Sequence, residues 1–348
     1  MKVNRRRTRL PAVPDGPSWK GGPAVGGPRQ PGCEPVPTPS ACGTIRTTSY
    51  GGGSGETELA DSNINRPATA SGTFALGGQL EVHRLGYGAM RLTGPGVWGE
   101  PADRDEAIRV LRRAIDLGID FIDTADSYGP YVSEELLKAA LHPYPSQLVI
   151  ATKAGLVRTG PGGWHAVGRP MYLRQECEMS LRRLGLQQIP LFQLHRIDDQ
   201  VPLEEQVGEL ARLQSEGKVR FIGLSNVSVE KVKAARAVAQ IVSVQNRYNS
   251  VDRDSETVLD YCEQENLGFI PWSPIAMGDL ARPGGPLASL AGALGATTAQ
   301  LALAWLLHRS PVVLPIPGTS SVAHLEENVE AALIGLTDEQ FQQAAGTG

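Results

Sequence analysis

The chain has 348 residues, of which 41% are hydrophobic and 20% charged, a balance typical of a globular protein. No run of eighteen apolar residues occurs in it, so the sequence predicts neither a membrane-spanning helix nor a membrane partner. Its formal net charge of −4 gives no support for nucleic-acid binding.

The cysteines are few and scattered. Cys33, Cys42, Cys177 and Cys262 show no CxxC spacing, so the sequence predicts no metal site and no disulfide framework. This use of cysteine fits a reducing compartment, and we expect the protein in the cytoplasm.

The first 72 residues differ in composition from the rest of the chain. They contain twelve Gly and ten Pro, and nine Lys/Arg against five Asp/Glu. Such a segment cannot bury enough apolar surface to offset its conformational entropy, so residues 1–72 are predicted to be a disordered extension. A start codon assigned too far upstream would give the same composition. A targeting role for Arg5–Arg7 is the alternative, although no apolar stretch follows as a secretory signal requires.

From Thr73 the sequence becomes a regular alternation, which we assign to one domain over residues 73–348. The segment TFALGGQLEV (73–82) has a Gly-Gly turn between two short apolar runs and predicts a β-hairpin. Eight strand-like segments follow it. They are RLGYGAM (84–90), DFIDTA (120–125), LVIATK (148–153), LFQLHR (191–196), VRFIGLSN (219–226), IVSVQNRYN (241–249), GFIPWSP (268–274) and VVLPIPG (312–318).

Amphipathic helix patterns separate these strands. One is DRDEAIRVLRRAIDLG (103–118), in which apolar residues recur on one side. The other predicted helices lie near 133–141, 171–184, 203–216, 228–238, 255–265, 297–308 and 321–333. Eight strand–helix units favour an α/β fold of the (β/α)8 (TIM) barrel type, with the hairpin closing its bottom. An open doubly wound sheet is the alternative, but no GxGxxG follows the first strand.

Polar residues collect at the carboxyl ends of these strands, where the active sites of such barrels lie. Six successive strands have such residues at or just beyond this end. The residues are Asp123 with Tyr128 just beyond it, Lys153, His195, Ser225 with Asn226, Gln245, and Trp272 with Ser273. A random scatter of polar residues would not select one end, so we expect these side chains to share a site.

Four of these side chains form a chemically specific set. A tyrosine hydroxyl is a poor acid at neutral pH, and a lysine ammonium beside it lowers its pKa. A buried lysine needs a counter-charge, which Asp123 would supply. With His195 to orient a carbonyl oxygen, Tyr128 and Lys153 could protonate that oxygen while hydride adds to the carbonyl carbon.

The motifs that carry these residues resemble those of the aldo-keto reductases over roughly residues 73–340. DTADSY (123–128) holds the Asp and Tyr of that family, ATK (151–153) its Lys and QLHR (193–196) its His. GLSN (223–226) and VQNRYN (244–249) resemble its nicotinamide-carboxamide segments, and PIPGTSSVAHLEENV (315–329) resembles its adenosine-phosphate clamp.

The resemblance implies an NADP(H) cofactor and a small-molecule carbonyl substrate. Trp272, in a WSP segment where the family more often has another aromatic, is expected to stack on the nicotinamide ring. The clamp offers hydroxyls and a histidine where NADP enzymes commonly place Lys or Arg, so tolerance of NAD(H) is also expected. The implied cofactor contacts are Gly88, Ala89, Met90, Ser225, Asn226, Gln245, Trp272, Ser273, Gly318, Thr319, Ser320, His324, Glu327 and Asn328.

The segments LGYGAMRLTGPGVWGEPADR (85–104) and HPYP (142–145) resemble a bacterial branch of the family that contains pyridoxal reductases. Reduction of pyridoxal to pyridoxine is therefore the substrate hypothesis, with other aldehydes and ketones as alternatives. Trp98 and Trp164 follow the first and third strands, where substrate enters, and either line the pocket or pack the loops.

Other interpretations remain open at this stage. Asp123 and Lys153 could form an ion pair that is only structural, and Trp272 could be core. Relatives of this barrel serve as regulatory subunits of potassium channels, so a cofactor-sensing binding subunit is the alternative function. An isomerase or aldolase would use Lys153 as a Schiff-base nucleophile.

Overall fold

The computed structural model describes residues 66–276 and 287–345. Most of the predicted extension, residues 1–65, lies outside them. Pro67–Ser71 form a short 3-10 helix in which Ala68 is fully buried against the body of the protein. The folded part therefore begins before the predicted boundary at Thr73.

The predicted hairpin is present. Strands β1 (Thr73–Leu76) and β2 (Leu80–His83) pair antiparallel around two glycines with positive φ, which a turn this tight requires. A Cβ on Gly77 would lie 2.6 Å from the ring of Phe221 and 3.0 Å from Val242, both near the start of their strands. The hairpin therefore covers the amino-terminal end of the barrel, as predicted.

A parallel sheet of seven strands forms the barrel wall. In sheet order its strands are β3 (Tyr87–Gly88), β4 (Phe121–Asp123), β5 (Val149–Ala154), β8 (Ile189–Leu194), β9 (Val219–Ser225), β10 (Ile241–Gln245) and β11 (Gly268–Phe269). An antiparallel hairpin that was not predicted, β6 (Leu156–Gly160) and β7 (Gly163–Ala166), extends beyond the end of β5.

The eighth predicted strand, residues 312–318, is not a regular strand, but it closes the barrel. Phe269 N–H donates to Val312 O and Leu314 N–H donates to Phe269 O, both at 2.8 Å, on the β11 side. On the β3 side, Gly86 and Gly88 donate to the carbonyls of Pro315 and Pro317, at 3.0 and 3.3 Å. The two prolines lack N–H groups, so this segment accepts from β3 without completing a ladder. The (β/α)8 architecture is confirmed.

The helices of residues 66–276 and 287–345 include all eight that were predicted and two that were not. Their bounds are α1 Arg104–Asp116, α2 Val132–Leu141, α3 Pro170–Leu184, α4 Leu203–Ser215, α5 Val229–Arg236, α6 Glu256–Gln264, α7 Ala288–Ala293, α8 Thr298–Arg309, α9 Val322–Glu330 and α10 Asp338–Ala345. The unpredicted helices are α7 and α10. In α10, Phe341 stacks on Trp305 with ring centroids 5.2 Å apart. Among the described helices, none is both long and apolar enough to cross a membrane.

Candidate active site

Four polar side chains meet at the carboxyl end of the barrel. Asp123 ends β4, Tyr128 lies in the following loop, Lys153 lies in β5, and His195 follows β8. Their exposed fractions are 2%, 6%, 0% and 7% respectively. Burial of so many polar groups in one place is costly unless they satisfy one another. The structure thus brings together the four residues that the sequence selected.

The ammonium of Lys153 is the centre of this group. Its Nζ lies 2.6 Å from Asp123 Oδ2, 2.8 Å from the Thr124 carbonyl oxygen and 3.2 Å from the Tyr128 hydroxyl. These three acceptors use its three N–H donors. Burial alone would lower the pKa of Lys153, but Asp123 and Tyr128 outweigh burial, and the pKa is raised. The lysine therefore keeps its charge in a site that excludes solvent.

The second carboxylate oxygen of Asp123 is held by two amides. Gln193 Nε2 donates to Asp123 Oδ1 at 3.0 Å, and Gln245 Nε2 donates to it at 2.8 Å. Gln245 had been predicted as a cofactor contact, and here its amide orients the aspartate. Gln193 was missed, although it lies two residues before His195 and so points to the same face of its strand. At Gly223 a Cβ would lie 3.0 Å from Gln193, so a side chain there would crowd it.

Lys153 lowers the pKa of Tyr128, as expected, but burial outweighs this effect. Burial raises the pKa of the Tyr128 phenol, and Lys153 opposes that rise without cancelling it. The expectation weighed the ammonium and left out the cost of moving a phenolate away from water. The consequence is that Tyr128 is protonated at neutral pH, which is the state that a proton donor needs.

His195 is held beside Tyr128 as a neutral imidazole. The two rings meet edge to face with centroids 5.8 Å apart, and His195 Nδ1 lies 3.2 Å from the Ser127 hydroxyl oxygen. Burial, then the charges of Lys153 and Arg196, hold the pKa of His195 well below its usual value. When Ser127 donates to Nδ1, the ring carries its proton on Nε2 and can donate a hydrogen bond there.

The two predicted pocket tryptophans lie near this group. Trp164, in β7, packs against His195 with ring centroids 6.4 Å apart. Trp98 forms an isolated parallel bridge with Gly129, the residue after Tyr128. Both indoles are half-buried. Trp164 therefore lies beside His195, and Trp98 lies beside the loop that carries Tyr128.

Three residues predicted to hold the nicotinamide lie together beside His195. Asn226, which has a left-handed φ of 57°, donates to the His195 carbonyl at 3.3 Å and to Ser225 Oγ at 2.9 Å. Trp272 Nε1 donates to Asn226 Oδ1 at 3.2 Å. Trp272 is thus tied to this polar cluster and is not part of the apolar core.

One observation fits a cofactor in this region, and two glycines mark the barrel closure beside it. Ser273 has a left-handed φ of 60°, and its buried hydroxyl makes no hydrogen bond within the described residues. A Cβ on Gly88 would lie 2.6 Å from Ile316 O, and one on Gly318 would lie 2.5 Å from Gly88 O, so only glycines allow this close backbone approach. The predicted contacts Gly88 and Gly318 therefore face each other across the barrel closure, with Ala89 and Met90 in the next turn.

The remaining predicted contacts surround the start of α9. Thr319 is held by Tyr87, whose hydroxyl donates to its carbonyl at 2.5 Å. Glu106 was missed by the sequence analysis; its carboxylate accepts from Val322 N–H at 3.1 Å, at the first residue of α9. Ser320 and His324 are exposed, Glu327 is half-buried and Asn328 is buried. Glu106 therefore already occupies one donor of the helix end where a phosphate was expected.

A buried carboxyl lies behind the site without a partner. Asp126 is 1% exposed, and neither side-chain oxygen makes a hydrogen bond within the described residues. Burial, then Glu134 and Glu176, raise its pKa well above the usual value, and Arg183 only partly opposes them. Because the folded state holds this proton more tightly than the unfolded state, the contribution to stability is complete at low pH and is lost as pH rises.

We therefore expect Asp126→Asn to stabilise the protein increasingly as pH rises above about 4, the ordinary pKa of an Asp side chain in an unfolded chain. The amide keeps the shape and removes a titrating group, and the gain at alkaline pH should be about 1–3 kcal/mol. Urea unfolding of both proteins at several pH values measures it. A difference that shrinks with rising pH would contradict this interpretation.

The described residues hold no group of three or more His, Cys, Asp or Glu placed to bind a metal ion. The acidic set of Asp126, Glu134 and Glu176 is thus not a metal site. Cys177 and Cys262 are buried and unpaired, as expected of small apolar side chains.

Comparison with known proteins decides the family. A model of the aldo/keto reductase family matches residues 84–346, which is most of the chain. The chain belongs to the aldo/keto reductase family. This aldo-keto reductase is 55% identical to an uncharacterized oxidoreductase of Schizosaccharomyces pombe over 274 residues, covering 79% of this chain and 89% of the relative.

Two further relatives bear on the chemistry. Escherichia coli pyridoxine 4-dehydrogenase is 43% identical over 283 residues, covering 80% of this aldo-keto reductase and 98% of the relative. The structure of a Klebsiella pneumoniae aldo-keto reductase in complex with NADPH superposes with a TM-score of 0.68 at 29% identity, covering 78% and 93% of the two chains. The protein is an oxidoreductase, as the sequence motifs indicated.

Proposed function

We propose that this protein is an NADP(H)-dependent reductase of aldehydes or ketones in which Tyr128 is the general acid. The observation that carries the proposal is the position of Lys153, whose ammonium contacts both the Asp123 carboxylate and the Tyr128 hydroxyl. A charged amine between a fixed anion and a phenol stabilises the phenolate that proton donation leaves behind.

The bound cofactor would supply the hydride that adds to the carbonyl carbon. Tyr128 gives its proton to the carbonyl oxygen, so that an alcohol forms and a phenolate remains 3.2 Å from Lys153 Nζ. Neutral His195 orients the oxygen by donating a hydrogen bond to it. Asp123, held by Gln193 and Gln245, keeps Lys153 charged throughout.

The choice of NADP(H) rests on the hydroxyls near the start of α9 and on the Klebsiella relative solved in complex with NADPH. Glu106 at Val322 N–H argues for tolerance of NAD(H), because a carboxylate there repels a 2′-phosphate. We propose that NADPH is preferred and that NADH is also used.

Pyridoxal is the proposed substrate because the Escherichia coli relative is a pyridoxine 4-dehydrogenase. Trp98 and Trp164 beside the catalytic group suit a planar aromatic aldehyde. The alternatives find less support. Lys153 is fully buried, ion-paired and of raised pKa, which argues against a Schiff-base nucleophile, since that role needs a free amine.

Initial rates test the proposal directly. NADPH and NADH consumption would be followed with pyridoxal, benzaldehyde and propanal, and we expect turnover of pyridoxal with NADPH as the better cofactor. If NADPH binds, as seen by its fluorescence, but no aldehyde is reduced, a cofactor-sensing binding role replaces this proposal.

A further inference from the structure

Arg158, in β6, is bound entirely by backbone carbonyls. Its guanidinium has five N–H donors. Nε donates to Gly163 O at 3.1 Å, and one terminal nitrogen donates to Val97 O at 2.6 Å and Ser127 O at 2.9 Å. The other terminal nitrogen donates to Gly96 O at 2.9 Å and Gly160 O at 3.3 Å. Every donor is therefore in use.

These carbonyls come from three different segments around the site. Gly96 and Val97 belong to the loop after β3, Ser127 to the catalytic loop after β4, and Gly160 and Gly163 to the β6–β7 hairpin. Charge-assisted hydrogen bonds are stronger than neutral ones, so a single side chain fixes the three segments relative to one another. A lysine could not do this, because its three donors lack the planar fork.

The same guanidinium contacts both pocket tryptophans. Its Cζ lies 3.5 Å from the ring centroid of Trp164 and 5.6 Å from that of Trp98. Both distances are within the range of cation–π attraction. Trp164 in turn packs on His195, and Ser127 contacts His195 through its hydroxyl. Arg158 thus connects the pocket walls to the catalytic group by direct contacts.

An arginine beside a substrate pocket could instead bind an anionic substrate group. That role requires free N–H donors, and Arg158 has none left. We propose that Arg158 is a positioning residue that holds Trp98 and Trp164 as the two walls of a pocket for a planar aromatic carbonyl substrate. This inference rests on the proposed function, because it assigns the substrate contact of that same site.

The test compares an aromatic with an aliphatic aldehyde. Benzaldehyde has a ring that can contact the indoles, whereas propanal has none. If the Trp98 and Trp164 indoles move out of place, KM should therefore rise selectively for benzaldehyde. We expect Arg158→Met to lower kcat/KM for benzaldehyde about 100-fold, mainly through KM, and kcat/KM for propanal less than about 10-fold, because both substrates share only the loss of the Ser127 contact. Arg158→Lys, which keeps the charge but not the fork, should fall between Arg158→Met and the wild type.

Two further variants sharpen this test. Trp164→Leu should reproduce part of the selective rise in KM, and the loss in Arg158→Met combined with Trp164→Leu should be smaller than the sum of the two single losses, because both changes disturb the Trp164 wall. Arg236→Met is the matched control, since Arg236, the last residue of α5, binds Tyr261 in α6 and Glu265 just after α6, away from the site. It should leave both aldehydes unaffected.

The outcomes separate this inference from the proposed function. If the wild type reduces neither aldehyde, the proposed function is wrong. If the wild type is active and the Arg158 variants lose activity equally for both aldehydes, or lose none, the positioning role is wrong. Additive losses in the double variant also overturn it. NADPH affinity confirms folding, and if Arg158→Met does not fold, Arg158→Lys decides by the same selectivity.

Discussion

Replacing Tyr128 by Phe should lower kcat for aldehyde reduction by about 10³-fold or more while changing NADPH affinity less than about 2-fold. Among the described groups that Lys153 contacts, which are the Asp123 carboxylate, the Thr124 carbonyl and the Tyr128 hydroxyl, the hydroxyl is the proton donor. Its removal leaves the ring packed on His195 and leaves the Asp123–Lys153 pair intact. Steady-state rates and a fluorescence titration with NADPH measure the two effects.

Tyr144→Phe is the matched control for that change. The Tyr144 hydroxyl donates to Leu184 O at 2.7 Å, away from the four-residue group, so its loss should leave kcat unchanged. A Tyr128→Phe variant with wild-type kcat would show that another group donates the proton.

Replacing Asp123 by Asn should be costly for both stability and activity. The change leaves the Lys153 ammonium fully buried with no anion 2.6 Å away, and loss of one partner of a buried ion pair destabilises by about 3–5 kcal/mol. Burial then acts on the pKa of Lys153 without Asp123 to oppose it, so the lysine tends to lose its proton. We expect kcat to fall by about 10²–10³-fold.

Asp120→Asn provides the comparison, since Asp120 lies three residues earlier, next to the start of the same strand. It pairs with His83 at 2.6 Å, near the barrel's amino-terminal end. That substitution should reduce stability without reducing kcat per folded molecule. If Asp123→Asn also retains wild-type kcat, the Asp123–Lys153 pair is only structural. Urea unfolding and initial rates on both variants distinguish these cases.

The barrel was predictable because hydrophobic periodicity is local and repeats. Each predicted strand between residues 120 and 249 and each of the eight predicted helices was found within a few residues of its expected position. The strands at the closure were less regular, since β3 and β11 are short and residues 312–318 carry two prolines. The β6–β7 hairpin was missed because it lies in the glycine-rich loop between one strand and its helix, and that loop shows no hydrophobic periodicity.

The sequence predicted which residues form the candidate site better than it predicted the directions of their pKa shifts. Strand ends identified Asp123, Tyr128, Lys153 and His195, and a period of two could have added Gln193. The direction of the net Tyr128 pKa shift depends on burial, which arises only when the folded chain encloses the phenol. The proposed role of Arg158 depends on backbone carbonyls from distant segments. Because every residue has a backbone carbonyl, the sequence does not indicate which carbonyls come together in the fold.

The most direct test of the account places 3,5-difluorotyrosine at position 128 and measures kcat/KM for aldehyde reduction against pH. Fluorination makes the phenol more acidic without changing its place beside Lys153. If Tyr128 must be protonated to donate, kcat/KM falls as pH rises through its pKa, and the fall should move to lower pH in the fluorinated protein. A fall at the same pH in both proteins would contradict the account, because the titrating group would then not be Tyr128.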